Sequence, residues 1–158
     1  DLYQWGRGAD GHQLRTSTTT TTLSSTDTPG HGDFIKGTSS SWNDWRSPQN
    51  DNLWQGVNGV NNPCPAGYRL PTEAELNEER LSWSSNNDTG AYNSPLKLPV
   101  AGFRLSSNGS LSSVGSSGYY WSSTVNGTFS RRLVFFSGFA VMGSSNRAIG
   151  FSVRCIKD

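Results

Sequence analysis

Apolar residues in this chain come in short runs set in long polar stretches, and one stretch alone has a helical period. Residues 71–83, PTEAELNEERLSW, put Leu76 and Trp83 on one face, seven positions apart. Thr72 and Glu75 form a T-x-x-E capping box, and the acids Glu73 and Glu75 suit a helix N-terminus. The pattern predicts one clear helix here and assigns its four Glu to helix-surface chemistry rather than to a catalytic acid set. Residues 86–95 read as a polar loop. Beyond them LKLPVAGFRL, GYYWSST, RRLVFF, FAVM and GFSVRCI are short strand candidates between Ser, Gly and Asn turns. In the last, Phe151, Val153 and Cys155 alternate with Ser152 and Arg154, the pattern of a half-buried strand. Leu133 and Phe135 alternate likewise with Val134 and Phe136, which predicts that the first two point inward and the second two outward.

The N-terminal half has less periodicity. Residues 16–28, TSTTTTTLSSTDT, are β-prone but lack alternating apolar partners, and predict an exposed loop or edge. Residues 42–54, WNDWRSPQNDNLW, carry three Trp that predict aromatic anchors for a long loop.

The chain has 158 residues, the size of one domain. Only 32% of them are hydrophobic, yet six Trp, seven Phe and five Tyr exclude a disordered chain and predict a small aromatic core under much irregular surface. Net charge is +1 but segregated: residues 1–88 carry −5 and residues 89–158 carry +6. No Lys/Arg run is present, which argues against nucleic acid as a partner. No apolar run approaches the ~20 residues of a membrane helix, which argues against direct membrane insertion. The start at Asp1-Leu2-Tyr3 has no signal-peptide pattern, and a segment upstream of it is expected. Cys64 and Cys155 lack metal-site spacing; they are either a disulfide across a long loop or two buried thiols.

Candidate chemistry is sparse. Gly6 to Gly11 matches G-x-G-x-x-G, but a Thr-rich loop follows where a dinucleotide site needs a helix, so it reads as a turn. His12 and His31 have no ligand pattern around them and read as surface or structural. Trp42-Asn43-Asp44 copies the WND string of calcium-dependent lectins, without the partner string that would complete a site. The sequons at Asn87, Asn108 and Asn126 are expected by chance in so Asn-, Ser- and Thr-rich a chain. No catalytic residue, metal or cofactor is assigned.

Several strings together carry a resemblance. LYQWGRGADGH (2–12), NPCPAGYRLPTEAE (62–75), LKLPVAGFR (96–104), GYYWSST (118–124) and GFSVRCIKD (150–158) resemble the Fibrobacter succinogenes major paralogous domain family, in particular members diversified by diversity-generating retroelements. The resemblance implies an α+β, C-type lectin-like fold: a small mixed or antiparallel sheet, one or two helices, and long ordered loops, all within one domain of residues 1–158. It implies a ligand-binding display module, a receptor or adhesin of a bacterial cell surface or phage particle, whose ligand is a protein or cell-surface molecule. Two departures stand out. Members usually have another segment upstream, and often Trp where this chain has Leu76.

In such systems adenines of a template, often in AAC codons, are scrambled. The outcomes include Phe, Leu, Ile, Val, Ser, Arg and Gly but exclude Lys, Glu, Gln, Met and Trp. Residues 103–149 contain no Lys, Glu or Gln, and their only Met and Trp, Met142 and Trp121, fall where the motif looks fixed. The implied variable positions are Leu105, Ser106, Ser112 and Ser113, then Phe129, Arg132, Val134, Phe136, Phe139, Val141, Gly143, Ser145 and Ile149. The implied scaffold holds its own core through Trp121, Leu133, Phe135, Val153 and the capped helix. Two other readings remain: an undiversified structural domain of a bacterial surface protein, and a relative of the formylglycine-generating enzymes, which share a related fold but use a reactive cysteine pair.

Overall fold

Three strands carry most of the β-structure. A computed structural model of the chain describes residues 1–37 and 44–158. In chain order the elements are β1 (Tyr3–Gln4), β2 (Thr19–Thr20), β3 (Phe34–Ile35), β4 (Tyr68–Arg69), α1 (Glu73–Leu81), α2 (Asp88–Asn93), β5 (Phe103–Arg104), β6 (Leu111–Ser112), β7 (Ser117–Asn126), β8 (Phe129–Phe136), β9 (Ala140–Asn146), β10 (Gly150–Phe151) and β11 (Ile156–Lys157). β7, β8 and β9 form an antiparallel meander. A second sheet runs β1-β10-β5-β6, β11 pairs with β4, and β2 pairs with β3 in parallel. The fold is mixed α+β, with mostly antiparallel sheets and two helices.

Helix α1 forms where the capping box predicts it. The Thr72 hydroxyl accepts from the Glu75 N–H at 3.3 Å, and the Glu75 carboxylate accepts from the Thr72 N–H at 2.7 Å. Arg69 holds that carboxylate at 2.7 Å, and its hydrogen bonds keep Glu75 down at about 2, far below its ordinary range. Leu76 is buried and Trp83 packs on the same cluster. The polar loop expected over 86–95 is corrected: it contains α2, capped by the Asn87 side chain on the Gly90 N–H at 3.1 Å. Thr19 and Thr20 form a strand within the expected Thr loop, because Phe34 and Ile35 supply the pairing edge and the apolar side.

Four Trp explain how so polar a chain builds a core. Trp5, Trp45, Trp54 and Trp121 are each fully buried, and each indole N–H reaches a backbone carbonyl: Ser122, Trp5, Asn61 and Tyr3, at 2.9, 2.7, 3.0 and 2.8 Å. Large rings bury much area per residue ordered, and the satisfied N–H stitches a loop to the core. Trp45 and Trp54 thus anchor the 42–54 loop, while Trp42 lies outside the described residues. Gly118 is required on β7: a Cβ there would lie 2.2 Å from the ring of Phe135, its cross-strand partner.

The strand expected over 150–156 is broken. β10 ends at Phe151, Ser152 bridges to Tyr120, and pairing resumes at β11. Ser152 is therefore buried although alternation placed it outward, and Val153 is only partly buried. Cys64 and Cys155 form a disulfide across 91 residues. In the chain-entropy account a closed loop of that length contributes about 4–5 kcal/mol.

His12 is structural and fully buried. Its Nε2 accepts from the Gln4 N–H at 3.1 Å, and its Nδ1 donates to Asp10 at 2.6 Å. Burial pushes the imidazole down to about 4 from its ordinary 6.5, so it is neutral at pH 7. The unfolded chain takes up that proton first. Stability is therefore intact above about 6.5 and lost as pH falls toward 4, at about 1.4 kcal/mol per pH unit. Asp44 opposes this: burial pushes its carboxyl up to about 6, so between 3.8 and 6 the folded state gains stability as pH falls. We expect Asp44→Asn to lose stability more steeply than the wild type between pH 6 and 4 in urea titrations. We also expect the His12 ring to titrate near 4 by NMR. A His12 midpoint near 6.5 would refute the second expectation, and parallel stability profiles for the variant and the wild type between pH 6 and 4 would refute the first.

Candidate ligand-binding surface

The meander separates two sets of side chains. Residues directly across a strand pair share a face, so the registers Tyr120↔Leu133↔Met142 and Gly118↔Phe135↔Ala140 define one side. That side packs on Leu76, Ala91 and Leu98 and is closed by the helices. The registers Tyr119↔Val134↔Val141 and Trp121↔Arg132↔Gly143 define the other, to which Phe136 and Ser145 also belong. Leu133 and Phe135 are fully buried, as their alternation predicts. Phe139, just before β9, meets Phe136 edge-on with ring centroids 4.5 Å apart. Phe139 and Val141 are 47% and 42% exposed, an apolar pair open to solvent at the sheet edge.

Three expected positions sit differently. Val134 shares this face but is only 8% exposed, because Tyr119 and Val141 flank it directly on the neighbouring strands; the outward, displayed position expected for it is corrected. Phe129 is exposed but alternates with Arg131 and Leu133, so it projects on the helix side, at the hairpin end. Ile149 is partly buried and packs on the cluster of Trp5, Trp54, Trp121 and Phe151. The four remaining positions lie on the β5–β6 hairpin. Leu105 and Ser106 begin its loop, Ser112 pairs with Phe103, and Ser113 turns the chain at φ 55°. All four are half-buried. Phe103 joins the hairpin to the meander through Tyr119, with ring centroids 4.8 Å apart. Phe103 and Tyr119 were not among the expected surface residues; their signal was aromatic β-propensity alone, which core strands share.

Arg132 is the cation of this face. Its Nε donates to Ser145 Oγ at 3.1 Å, and its guanidinium carbon lies 5.7 Å from the centre of the Tyr119 ring. Burial pushes its pKa down from the usual Arg value. Arg131, next in line, points to the other side and is paired with Glu73 of α1.

The face is a sheet surface rather than a cavity. Clefts of about 360 and 350 Å³ occur elsewhere, one beside Tyr3, Tyr120 and Arg154 and one beside Tyr92 and Val100. Neither takes a wall from the thirteen expected positions. Among the described residues no cluster of His, Cys, Asp and Glu could hold a metal ion, and no thiol is free. Trp42 and Asn43 of the WND string lie outside the described residues. Asp44 is buried and accepts from the N–H groups of Trp45 and Arg46 at 2.8 and 3.3 Å. Among the described residues no helix is long and apolar enough to cross a membrane. No family model, curated protein or solved structure matches the chain.

Proposed function

We propose that this chain is a ligand-binding display module of C-type lectin-like fold, its surface positions diversified by a retroelement. The observation that carries the reading is the division of the meander. One side is committed to the helices, while the other sets Phe136, Phe139, Val141, Arg132, Gly143 and Ser145 at positions the helix-side core does not use. Substitution at exposed positions costs little stability, within about 0.5 kcal/mol, so such a face can change while the scaffold persists. Aromatic and Arg side chains among apolar neighbours are the residue types that dominate protein interfaces. Small molecules prefer a concave site, and neither of the two clefts is lined by these positions, so a macromolecule is the better fit. The ligand is accordingly a protein or cell-surface molecule, and the module is the receptor or adhesin part of a bacterial surface or phage particle.

The test is the neighbouring DNA. We expect a near-copy of the codons for residues 103–149, differing mainly at adenines, beside a reverse transcriptase gene. A locus with neither would leave an undiversified structural domain as the better reading.

A further inference from the structure

Arg132 has donors that the fold does not use. Its Nη1 is shielded from water and has no hydrogen-bond partner among the described residues. An unpaired buried donor costs free energy, and a buried cation more so, unless something supplies the acceptor. Arg147 Nε and Nη1 and Arg46 Nε are likewise buried without a hydrogen-bond partner among the described residues, but each of those side chains has a carboxylate beside it, Asp51 and Asp27. Arg131 pairs with Glu73, Arg69 with Glu75 and Asp158, and Arg147 with Asp51. Arg104 donates to the carbonyls of Gly109, Leu14 and Ser17.

The chain cannot serve Arg132 from its own sheet. No Asp or Glu occurs between Asp88 and Asp158, so β7, β8 and β9 contain no carboxylate. Gly143 makes the room in which the guanidinium lies: a Cβ there would sit 2.8 Å from Nη1. The surroundings are Tyr119, Val134 and Val141, which keep water away and strengthen any ion pair made there.

Resting on the display reading, we infer that the partner is a protein that presents an Asp or Glu carboxylate among apolar side chains. The carboxylate seats on Arg132, and its apolar neighbours cover Phe139 and Val141. A hydrogen bond from guanidinium to carboxylate is charge-assisted and stronger than a neutral one, and the cation of this face meets a negative group of the partner.

A random-peptide display library panned on the intact chain tests this. We expect the selected peptides to carry an acid beside aromatic or aliphatic residues. A representative peptide should bind Arg132→Gln at least about tenfold more weakly, and should lose as much when its acid becomes the amide. It should also lose binding to the double variant F139S/V141N, with circular dichroism confirming that both variants remain folded. Peptides that depend on Phe139 and Val141 but carry no acid, or ignore Arg132→Gln, would overturn the inference and leave the display surface standing. Arg132-dependent co-sedimentation with phosphatidylserine vesicles, without acidic peptides, would overturn it in favour of a lipid headgroup. Failure to select any peptide that depends on Phe139 and Val141 would overturn the display reading as well.

Discussion

Truncating Trp121 to alanine is expected to cost about 3–5 kcal/mol of folding stability, while Val141→Thr, two strands away on the same face, is expected to cost under about 0.5. Trp121 is fully buried, its ring centre is 4.5 Å from that of Phe151, and its indole N–H reaches the Tyr3 carbonyl at 2.8 Å. Its loss leaves a cavity between the meander and the β1-β10-β5-β6 sheet and orphans that carbonyl. Val141 is 42% exposed, and Thr preserves its β-branched shape. Leu133→Ala, fully buried on the helix side, is expected at about 2–5 kcal/mol. Val134→Ala falls between, at about 1–2 kcal/mol, because two methyl groups leave a nearly closed site. Denaturant unfolding measures all four. If Val141→Thr cost as much as Leu133→Ala, the displayed edge of the sheet would contribute to folding as the core does, and the display reading would lose its physical basis.

That contrast also shows which parts of the fold can be read from sequence. Strands β7, β8 and β9 are long enough for alternation to register, and Leu133 and Phe135 obey it. Val134 does not, since its burial depends on Tyr119 and Val141 in other strands, which no local pattern records. Helix α1 announces itself through Thr72, Glu75 and Leu76. Helix α2, Asp88-Thr-Gly-Ala-Tyr-Asn, has poor helix formers and only Ala91 and Gly90 buried, so its stability comes from packing and from the Asn87 cap. The two-residue strands have no period to detect. Their places depend on distant partners such as Phe151 for Tyr3 and Arg69 for Ile156. The candidate surface was legible as a set of permitted residue types, not as a geometry. The register divides that set between two sides of the sheet and the β5–β6 hairpin, and it leaves Phe129 apart from Arg132.

Arg7→Met is expected to destabilise the fold by about 3–5 kcal/mol, an effect as large as losing a core Trp, although the position reads in sequence as part of a glycine-rich turn. Arg7 is fully buried, and every one of its five N–H groups has an acceptor. Nε donates to Asp10 at 3.1 Å, and Nη2 to Asp10 at 2.6 Å and the His31 carbonyl at 3.2 Å. Nη1 donates to Gln4 Oε1 and the Asp33 carbonyl, both at 2.9 Å. Gln4 in turn reaches the Ile35 and Ala148 carbonyls at 2.7 Å, so one guanidinium ties the first turn to β3 and to the loop before β10. Flanking glycines fit this role: Gly6 has φ 87°, which lets the chain turn so that Arg7 enters the interior. Methionine fills much of the volume but leaves the Asp10 carboxylate with His12 as its remaining side-chain partner and strands two carbonyls. Lysine restores the charge with three donors in place of five, so Arg7→Lys should recover part of the loss and not all of it. Unfolding free energies that place Arg7→Met within 1 kcal/mol of the wild type would show that the cluster is dispensable. The expected order, wild type above Lys above Met, would instead make Gly-Arg-Gly a polar core element, so that the N-terminal third is held by hydrogen bonds where the chain has few apolar residues to spend.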